Sequence, residues 1–116
     1  MIVLPVPPSV NAMYRNVARV GRVKSVTYNE WLAEADSCAV QQRKTLPKVT
    51  GPYKVEIVIP RTTKGDIDNR GKAVLDWLAT RLITPDDQQC EDIRIKRGNI
   101  EDGFCHVLVE DFAEAA

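Results

Sequence analysis

The sequence predicts an α/β (α+β) fold: a single small domain over residues 1–116, with two helices on a mixed β-sheet in the order β-α-β-α-β-β. Three observations lead to this prediction. The chain has 116 residues, and 44% of them are hydrophobic, which is typical of one globular domain. Two segments repeat apolar residues at helical spacing. The segments around them have the β-branched content or the alternation of strands.

Residues 2–6 are the first predicted strand. Pro5, Pro7 and Pro8 confine it to a sheet edge or end it, because proline has no N–H for a ladder. From Ser9 to Lys24 no period is sustained, so we expect a basic loop or flap there.

A helix start follows this loop. Thr27 and Glu30 have the spacing of a capping box, and Val26 and Trp31 that of a hydrophobic staple. Helical spacing then continues to about Arg43, which predicts an amphipathic helix. Its apolar stripe consists of Trp31, Leu32, Ala35, Cys38 and Ala39, and this stripe explains Trp31 better as a core residue than as a base-stacking one.

The second half of the chain is expected to hold three strands and a helix. Residues 53–59 read as a strand with Val55, Ile57 and Ile59 on one face, ended by Pro60. The second helix follows Asn69, with Asp68 or Asn69 as its N-cap. Its predicted buried face consists of Val74, Leu75, Leu78 and Leu82. After a turn at residues 85–87, residues 92–96 and 104–110 alternate as strands, so we expect a C-terminal hairpin joined by the loop 98–103.

Several classes of protein are disfavoured by composition. No apolar run approaches the roughly 18 residues of a membrane span, and the first residues lack the pattern of a signal peptide, so we expect a cytoplasmic protein without a membrane partner. Cys38, Cys90 and Cys105 have neither disulfide-framework nor zinc-knuckle spacing and are interpreted as small apolar residues. His106 is expected on a strand, without the spaced partners of a zinc site.

The formal net charge of zero hides a division within the chain. Residues 1–65 carry ten Lys and Arg against four Asp and Glu, whereas residues 66–116 carry six against twelve. Such an asymmetry hints at a nucleic-acid or other charged partner, because a basic face supplies phosphate contacts. A well-solvated mixed surface is the alternative explanation.

The candidate chemistry centres on Asp66, Asp68 and the pair Asp86 and Asp87. If residues 66–68 are extended, the period of two puts both of their carboxylates on one side. Oxygen ligands select a hard ion, Mg²⁺ or Mn²⁺, which suits phosphodiester cleavage. Lys72 lies one helical turn after Asp68 and can reach a scissile phosphate or a carboxylate.

Other interpretations of these residues remain open. Lys72 and Asp68 can be an ordinary exposed ion pair. Asp68 and Asn69 can simply cap a helix, and Asp86 and Asp87 can simply form a turn. The segment 66–71 superficially matches an EF-hand loop, but Arg70 and Trp77 stand at ligand positions and no helix precedes it, so calcium sensing is not expected.

The motifs as a whole resemble those of the RusA-like Holliday junction resolvases, over nearly the whole chain. The resemblance rests on the opening Leu4-Pro-Val-Pro-Pro-Ser-Val-Asn11 with Tyr14, on Gly65-Asp-Ile-Asp-Asn69 followed by Lys72, and on Asp86-Asp87-Gln88 about twenty residues after Asp66.

The resemblance implies a metal-dependent homodimer that nicks two opposed strands of a four-way junction. It implies that Asp66, Asp68 and Asp87 hold Mg²⁺, with Mn²⁺ as a substitute, and that Lys72 is the catalytic lysine. Asn69 and Asp86 would be supporting residues. A two-fold dimer would place one site on each equivalent strand. The DNA-binding residues implied, which contact phosphates rather than bases, are Asn11, Tyr14, Arg15, Arg19, Arg22, Lys24 and Lys64.

Two rival functions follow from the same residues. The same metal site could cut flaps, replication forks or other branched DNA. Alternatively, the acidic cluster could be structural in a non-catalytic module that binds junctions without cutting them at any magnesium concentration.

Overall fold

The computed structural model describes residues 1–113, which form a four-stranded mixed sheet, two helices and a separate two-stranded hairpin. This confirms the predicted α+β class. Two short 3₁₀ turns, Val10–Ala12 and Asp87–Gln89, connect the larger elements. In chain order the strands and α-helices are β1 (Ile2–Pro5), β2 (Tyr14–Val17), β3 (Gly21–Lys24), α1 (Val26–Gln41), β4 (Tyr53–Pro60), α2 (Gly71–Thr80), β5 (Cys90–Gly98) and β6 (Phe104–Asp111).

The strand order of the main sheet is β1-β6-β4-β5. β4 runs parallel to β5 and antiparallel to β6, which also pairs antiparallel with β1. The predicted C-terminal hairpin is therefore wrong, since β5 and β6 lie on opposite sides of β4. Burial explains the difference: β5 carries Asp92, Arg94 and Lys96, which suit an edge, whereas β6 buries alternate apolar residues between two neighbours.

One face of the sheet packs against both helices to form the core. The strand register aligns the buried residues of β1, β4 and β6, and they form one cluster with the buried residues of α1 and α2. Trp31 is only 5% exposed, which confirms its predicted place in the core. Its indole Nε1 donates to the carbonyl of Pro5 at 2.9 Å, which satisfies the polar atom that burial removes from water.

The helix starts differ from those expected. Ser25 is the N-cap of α1, and its Oγ accepts a hydrogen bond from the backbone N–H of Tyr28 at 3.1 Å. Thr27 is already inside the first turn, so the predicted capping box is wrong. Arg70 precedes α2 and gives it no side-chain cap. The interpretation of Asp68 or Asn69 as the N-cap is therefore wrong too, because the chain turns once more before the helix begins.

Two further expectations are corrected at the ends of these elements. Leu82 is 72% exposed with a φ of 59°; it follows the end of α2 and does not belong to its buried face. Residues 9–24 are not a loop throughout, since β2 and β3 pair from Tyr14 with Lys24 to Val17 with Gly21. Gly21 has a φ of 98°, which favours glycine at this tight turn.

The outer edge of β1, the strand expected at an edge, is covered by a side chain. The amide of Gln42, just after α1, accepts from the N–H of Val3 at 2.8 Å and donates to its carbonyl at 2.7 Å. These two bonds take the place of a neighbouring strand at Val3. They protect the edge of β1 from pairing with other chains. In residues 1–113 all three cysteines are free thiols, and no helix combines the length and apolarity that a membrane crossing requires.

Candidate active site

Lys72 lies at the centre of a group of charged side chains on α2 and on the turn before β5. It occupies the first turn of α2, and its Nζ lies 3.0 Å from Oδ1 of Asp76, one turn further along. The same Nζ donates to Oδ2 of Asp87 at 2.9 Å. One ammonium group therefore bridges two carboxylates from different elements.

These contacts set the charge states of the group. Hydrogen bonds to Asp87 and then to Asp76 raise the pKa of Lys72 above its usual value, so this lysine is cationic at neutral pH. In turn, the hydrogen bond from Lys72, followed by one with Asp86, lowers the pKa of Asp87. The side chains of Lys72 and Asp87 are 48% and 34% exposed, so an anion can approach the ammonium from solvent.

Asp86 holds the turn that presents Asp87. It is the N-cap of the 3₁₀ turn, and its Oδ1 accepts a hydrogen bond from the N–H of Gln88 at 3.0 Å. The turn-forming role considered for Asp86 is therefore present, and it orients the neighbouring Asp87 towards Lys72.

Asp66 and Asp68 lie in the connection between β4 and α2. This connection is a turn rather than extended chain, with the N–H of Arg70 donating to the carbonyl of Ile67 at 3.2 Å. Ile67 packs against the core, whereas both aspartates are exposed. Within residues 1–113 neither carboxylate makes an ion pair or a side-chain hydrogen bond, so Lys72 pairs with Asp76 and Asp87 and not with Asp68.

Asn69 and Arg70 join this connection to the N-terminal loop. The carbonyl of Asn69 accepts from the N–H of Val10 at 2.8 Å. Arg70 donates from Nη1 to the carbonyl of Pro7 at 2.8 Å and from Nη2 to that of Lys64 at 3.2 Å. The side-chain Oδ1 of Asn69 is buried and has no partner among the described residues. Asn69 thus supports the segment through its backbone.

The three aspartates expected to hold a metal do not form one cluster. Within the described residues no group of three or more His, Cys, Asp and Glu side chains is arranged to hold an ion. Asp66 and Asp68 lie in the connection that follows β4, whereas Asp87 lies in the turn that precedes β5. The donor chemistry still fits magnesium, a hard cation that takes carboxylate oxygens and completes its shell with water and substrate phosphate.

Four of the ten basic residues in residues 1–65 lie on the β2–β3 hairpin: Arg15, Arg19, Arg22 and Lys24. The guanidinium of Arg22 lies 3.9 Å from the centre of the Tyr14 ring, and Nζ of Lys24 lies 5.7 Å from that of Tyr28. The first of these cation–π contacts lies within the hairpin, and the second joins Lys24 to α1. The other DNA-binding candidates, all exposed, are Asn11, Arg15, Arg19 and Lys64.

A groove of about 510 Å³ lies between the hairpin and the Lys72 group. Tyr14, Lys24 and Tyr28 line it from one side, and Asp76 and Asp87 line it from the other. Tyr28 is buried, and burial followed by the charge of Asp76 raises its pKa to about 12. The groove therefore joins the basic hairpin to the acidic group.

A family model places this geometry in a known context. The model for endodeoxyribonuclease RusA matches residues 5–110, nearly the whole chain. The chain belongs to the RusA endodeoxyribonuclease family. RusA-family membership makes it a hydrolase that cuts DNA internally, which confirms the expected enzyme class and family. A search of curated proteins gave no match.

Membership in a family of endonucleases argues against the non-catalytic module. Separately, the strand before residues 66–71 rules out the helix–loop–helix of an EF-hand. Sequence reasoning missed two residues of this group and groove, Asp76 and Tyr28. Only Asp76 had a local signal, because it stands four residues after Lys72 on the same helix.

Proposed function

We propose that this RusA-family endonuclease is a single-domain, cytoplasmic enzyme that resolves Holliday junctions by paired symmetric nicks in DNA recombination and repair. The observation that carries the proposal is the contact of Lys72 with Asp87. It joins the Asp-x-Asp-Asn-x-x-Lys segment to the Asp-Asp turn, the two most specific motifs of the chain. A fixed cation beside carboxylates suits phosphodiester cleavage, in which negative charge develops on the phosphate oxygens.

Magnesium is the proposed cofactor, with manganese as a substitute. Asp66, Asp68 and Asp87 would hold it, since oxygen donors select hard cations. When bound, such an ion supplies Lewis-acid stabilisation of the phosphate and activates water. The two exposed aspartates, which make no ion pair within residues 1–113, are the natural first ligands, and Asp87 is the one held by Lys72.

Lys72 would act as a fixed positive charge rather than as a base. Its raised pKa keeps it protonated, so its ammonium can stabilise the phosphate but cannot accept a proton at neutral pH. Asp76 provides a second partner at 3.0 Å. With that partner, Lys72 stays oriented whenever the carboxylate of Asp87 binds elsewhere.

The β2–β3 hairpin would bind the DNA backbone. Its exposed arginines and Lys24, with Lys64, Asn11 and Tyr14, would contact phosphates without reading bases. The groove between the hairpin and Asp87 would then lead the backbone from the hairpin towards the aspartates.

A homodimer would match the symmetry of the substrate. A four-way junction presents two equivalent strands, and a two-fold dimer places one active site on each. Sedimentation equilibrium of the purified protein should give twice the mass of the 116-residue chain.

The decisive experiment compares wild-type protein with Asp68→Asn and with Glu101→Gln, a control that removes an exposed carboxylate elsewhere. Each is incubated with a labelled four-way junction, a fork or a linear duplex, in Mg²⁺, Mn²⁺ or EDTA. We expect wild type and Glu101→Gln to nick the junction symmetrically with either metal ion only, and Asp68→Asn to bind without cutting. Binding without cleavage by wild type would refute the proposal, and preferential cleavage of forks would replace its substrate.

A further inference from the structure

We propose that Arg97 is a positioning residue that fixes the segment delivering Asp66 and Asp68. This inference rests on the proposed function of those two aspartates. Arg97 lies near the end of β5, opposite Ile59 of β4. Because the partners in a strand pair share a face, its side chain lies on the helix-bearing side, beneath the chain that leaves β4.

The guanidinium of Arg97 binds three backbone carbonyls of that chain. Nη1 donates to the carbonyl of Thr63 and lies 3.4 Å from that of Arg61, and Nη2 donates to the carbonyl of Gly65 at 2.7 Å. The three acceptors alternate along residues 61–65, where the chain has left the sheet. The planar guanidinium of Arg97, which has several donors, therefore fixes the path of the backbone that leads to Asp66.

The contacts divide the segment into two parts. Its start is also held by other groups: the N–H of Arg61 donates to the carbonyl of Gly98 at 3.0 Å, and the hydroxyl of Thr62 donates to Asp102 at 2.6 Å. At its end, Gly65 has a φ of 86°, and its carbonyl is bound by Arg97. The part next to Asp66 thus depends on Arg97, with support from Arg70 at Lys64.

This role cannot be filled by charge alone. A lysine has a compact ammonium on a flexible stem and cannot span the same carbonyls as a fork. Arg97 acts through the backbone, so its loss is expected to disturb metal binding and the cleavage step, and to leave the hairpin and its DNA contacts intact.

The test uses Arg97→Ala and Arg97→Lys, with Arg94→Ala as the matched control. Arg94 is an exposed arginine of the same strand on the opposite face of the sheet, 74% accessible. For each protein, Mg²⁺ affinity without DNA is measured by calorimetry, junction affinity in EDTA by fluorescence anisotropy, and the cleavage rate at saturating junction.

Both Arg97 variants should bind Mg²⁺ about 10- to 100-fold more weakly, as for other groups that orient metal ligands. Their cleavage rate should fall by a similar factor, with junction affinity in EDTA within about twofold of that of Arg94→Ala. Amide exchange should quicken in residues 63–68 and stay unchanged elsewhere. Should Arg97→Ala unfold at the assay temperature, Arg97→Lys carries the test.

Two results would overturn the inference. One is Mg²⁺ affinity and cleavage in Arg97→Lys equal to those of Arg94→Ala. The other is a parallel loss of junction affinity and of the thermal midpoint, which marks a general structural role. Failure of the proposed function is recognised separately, because wild-type protein itself would then leave the junction uncut in magnesium.

Discussion

The ammonium of Lys72 lies 2.9 Å from a carboxylate oxygen of Asp87, although α2 and the following turn separate the two residues along the chain. The contact requires α2 to fold back along the sheet between the parallel strands β4 and β5. The contact can therefore form only when the crossover from β4 through α2 to β5 is folded. It also explains why the pKa of Lys72 is raised and that of Asp87 is lowered.

Removing this lysine should affect catalysis and the titration of its partner together. We expect Lys72→Met to cut a junction about 10²- to 10³-fold more slowly, as for loss of one transition-state charge contact. The pKa of Asp87 should rise towards its ordinary value, because the first cause of its depression is the hydrogen bond from Lys72. Carboxyl ¹³C NMR measures that pKa. Lys54→Met, which removes a lysine paired at 3.8 Å with Glu110, should cut normally; cleavage by Lys72→Met at the wild-type rate would contradict the assigned role.

The hairpin arginines should govern the salt dependence of DNA binding. Arg22→Ala removes an exposed charge beside Tyr14, and the slope of log affinity against log salt should fall by about one. Anisotropy titrations at several salt concentrations measure this slope. Arg94→Ala removes the same charge from β5 and should leave the slope unchanged, so equal slopes in the two variants would place the DNA elsewhere.

Asp76 should control the ionisation of Tyr28. Its negative charge disfavours the phenolate, so Asp76→Asn should lower the pKa of Tyr28 from about 12. The pKa should remain above the ordinary value of 10.0, because burial is the largest cause of the shift. NMR of ¹³Cζ-labelled tyrosine, assigned with Tyr28→Phe, follows this titration. No shift in Asp76→Asn would mean that the carboxylate does not face the ring.

Asp36 should contribute a pH-dependent part of the stability. Burial alone would raise its pKa, but hydrogen bonds from Arg81 and Trp77 outweigh it and place the pKa below 3.8. The Trp77 indole donates to Oδ1 of Asp36 at 2.9 Å, and Nε of Arg81 does so at 2.7 Å. The carboxylate therefore stabilises the fold above about pH 4, and this contribution is lost as the pH falls through the folded-state pKa.

The test is the free energy of unfolding in urea for wild type and Asp36→Asn. The side chain is 38% exposed, so solvent screens the pair, and we expect a loss of about 1 kcal/mol at pH 7. The stabilities of wild type and variant should converge as the pH falls through the folded-state pKa of Asp36. A difference independent of pH would show that packing, not charge, is responsible.

Gly98 should tolerate no side chain while Val58 is present. A Cβ atom at Gly98 would lie 2.6 Å from Cγ1 of Val58 on the neighbouring strand. Gly98→Ala should therefore destabilise the protein by about 1–3 kcal/mol, and Val58→Ala in the same chain should recover part of that loss. Gly51→Ala places its Cβ in open space and should change stability by less than about 0.5 kcal/mol. Equal urea midpoints for Gly98→Ala and wild type would mean that β4 and β5 shift apart freely.

Local patterns predicted the elements of this fold better than their pairing. The apolar faces of α1 and of β4 were correctly predicted because each depends on a single periodicity. The pairing of β5 was predicted wrongly, because its adjacency to β6 along the chain favoured a hairpin of these two strands. Only the charged residues of β5 indicated that it lies at an edge of the sheet. The β2–β3 hairpin was missed because its exposed strands carry few apolar residues.

The same distinction holds at the candidate site. Spacing singled out Asp66, Asp68, Lys72 and Asp87 as candidates. The ion pair it offered as an alternative for Lys72 was with Asp68, whereas Lys72 pairs with Asp76 and Asp87. Which carboxylate the lysine meets depends on where α2 begins and on the path of the chain back to β5. Arg97 had no local signal, since its three acceptors are backbone carbonyls more than thirty residues earlier.

The place of β6 in the sheet has a consequence for biosynthesis. Within residues 1–113 β1 pairs in this sheet only with β6, so β1 has no strand partner until residues 104–111 have been synthesised. Strands so far apart in sequence pair slowly, and the apolar residues of β1 stay exposed until β6 has paired with it. The loop after β1 is also what Asn69 and Arg70 bind. A nascent chain halted before residue 104 should therefore lack a finished nuclease site, and cutting would begin only once β6 has been synthesised.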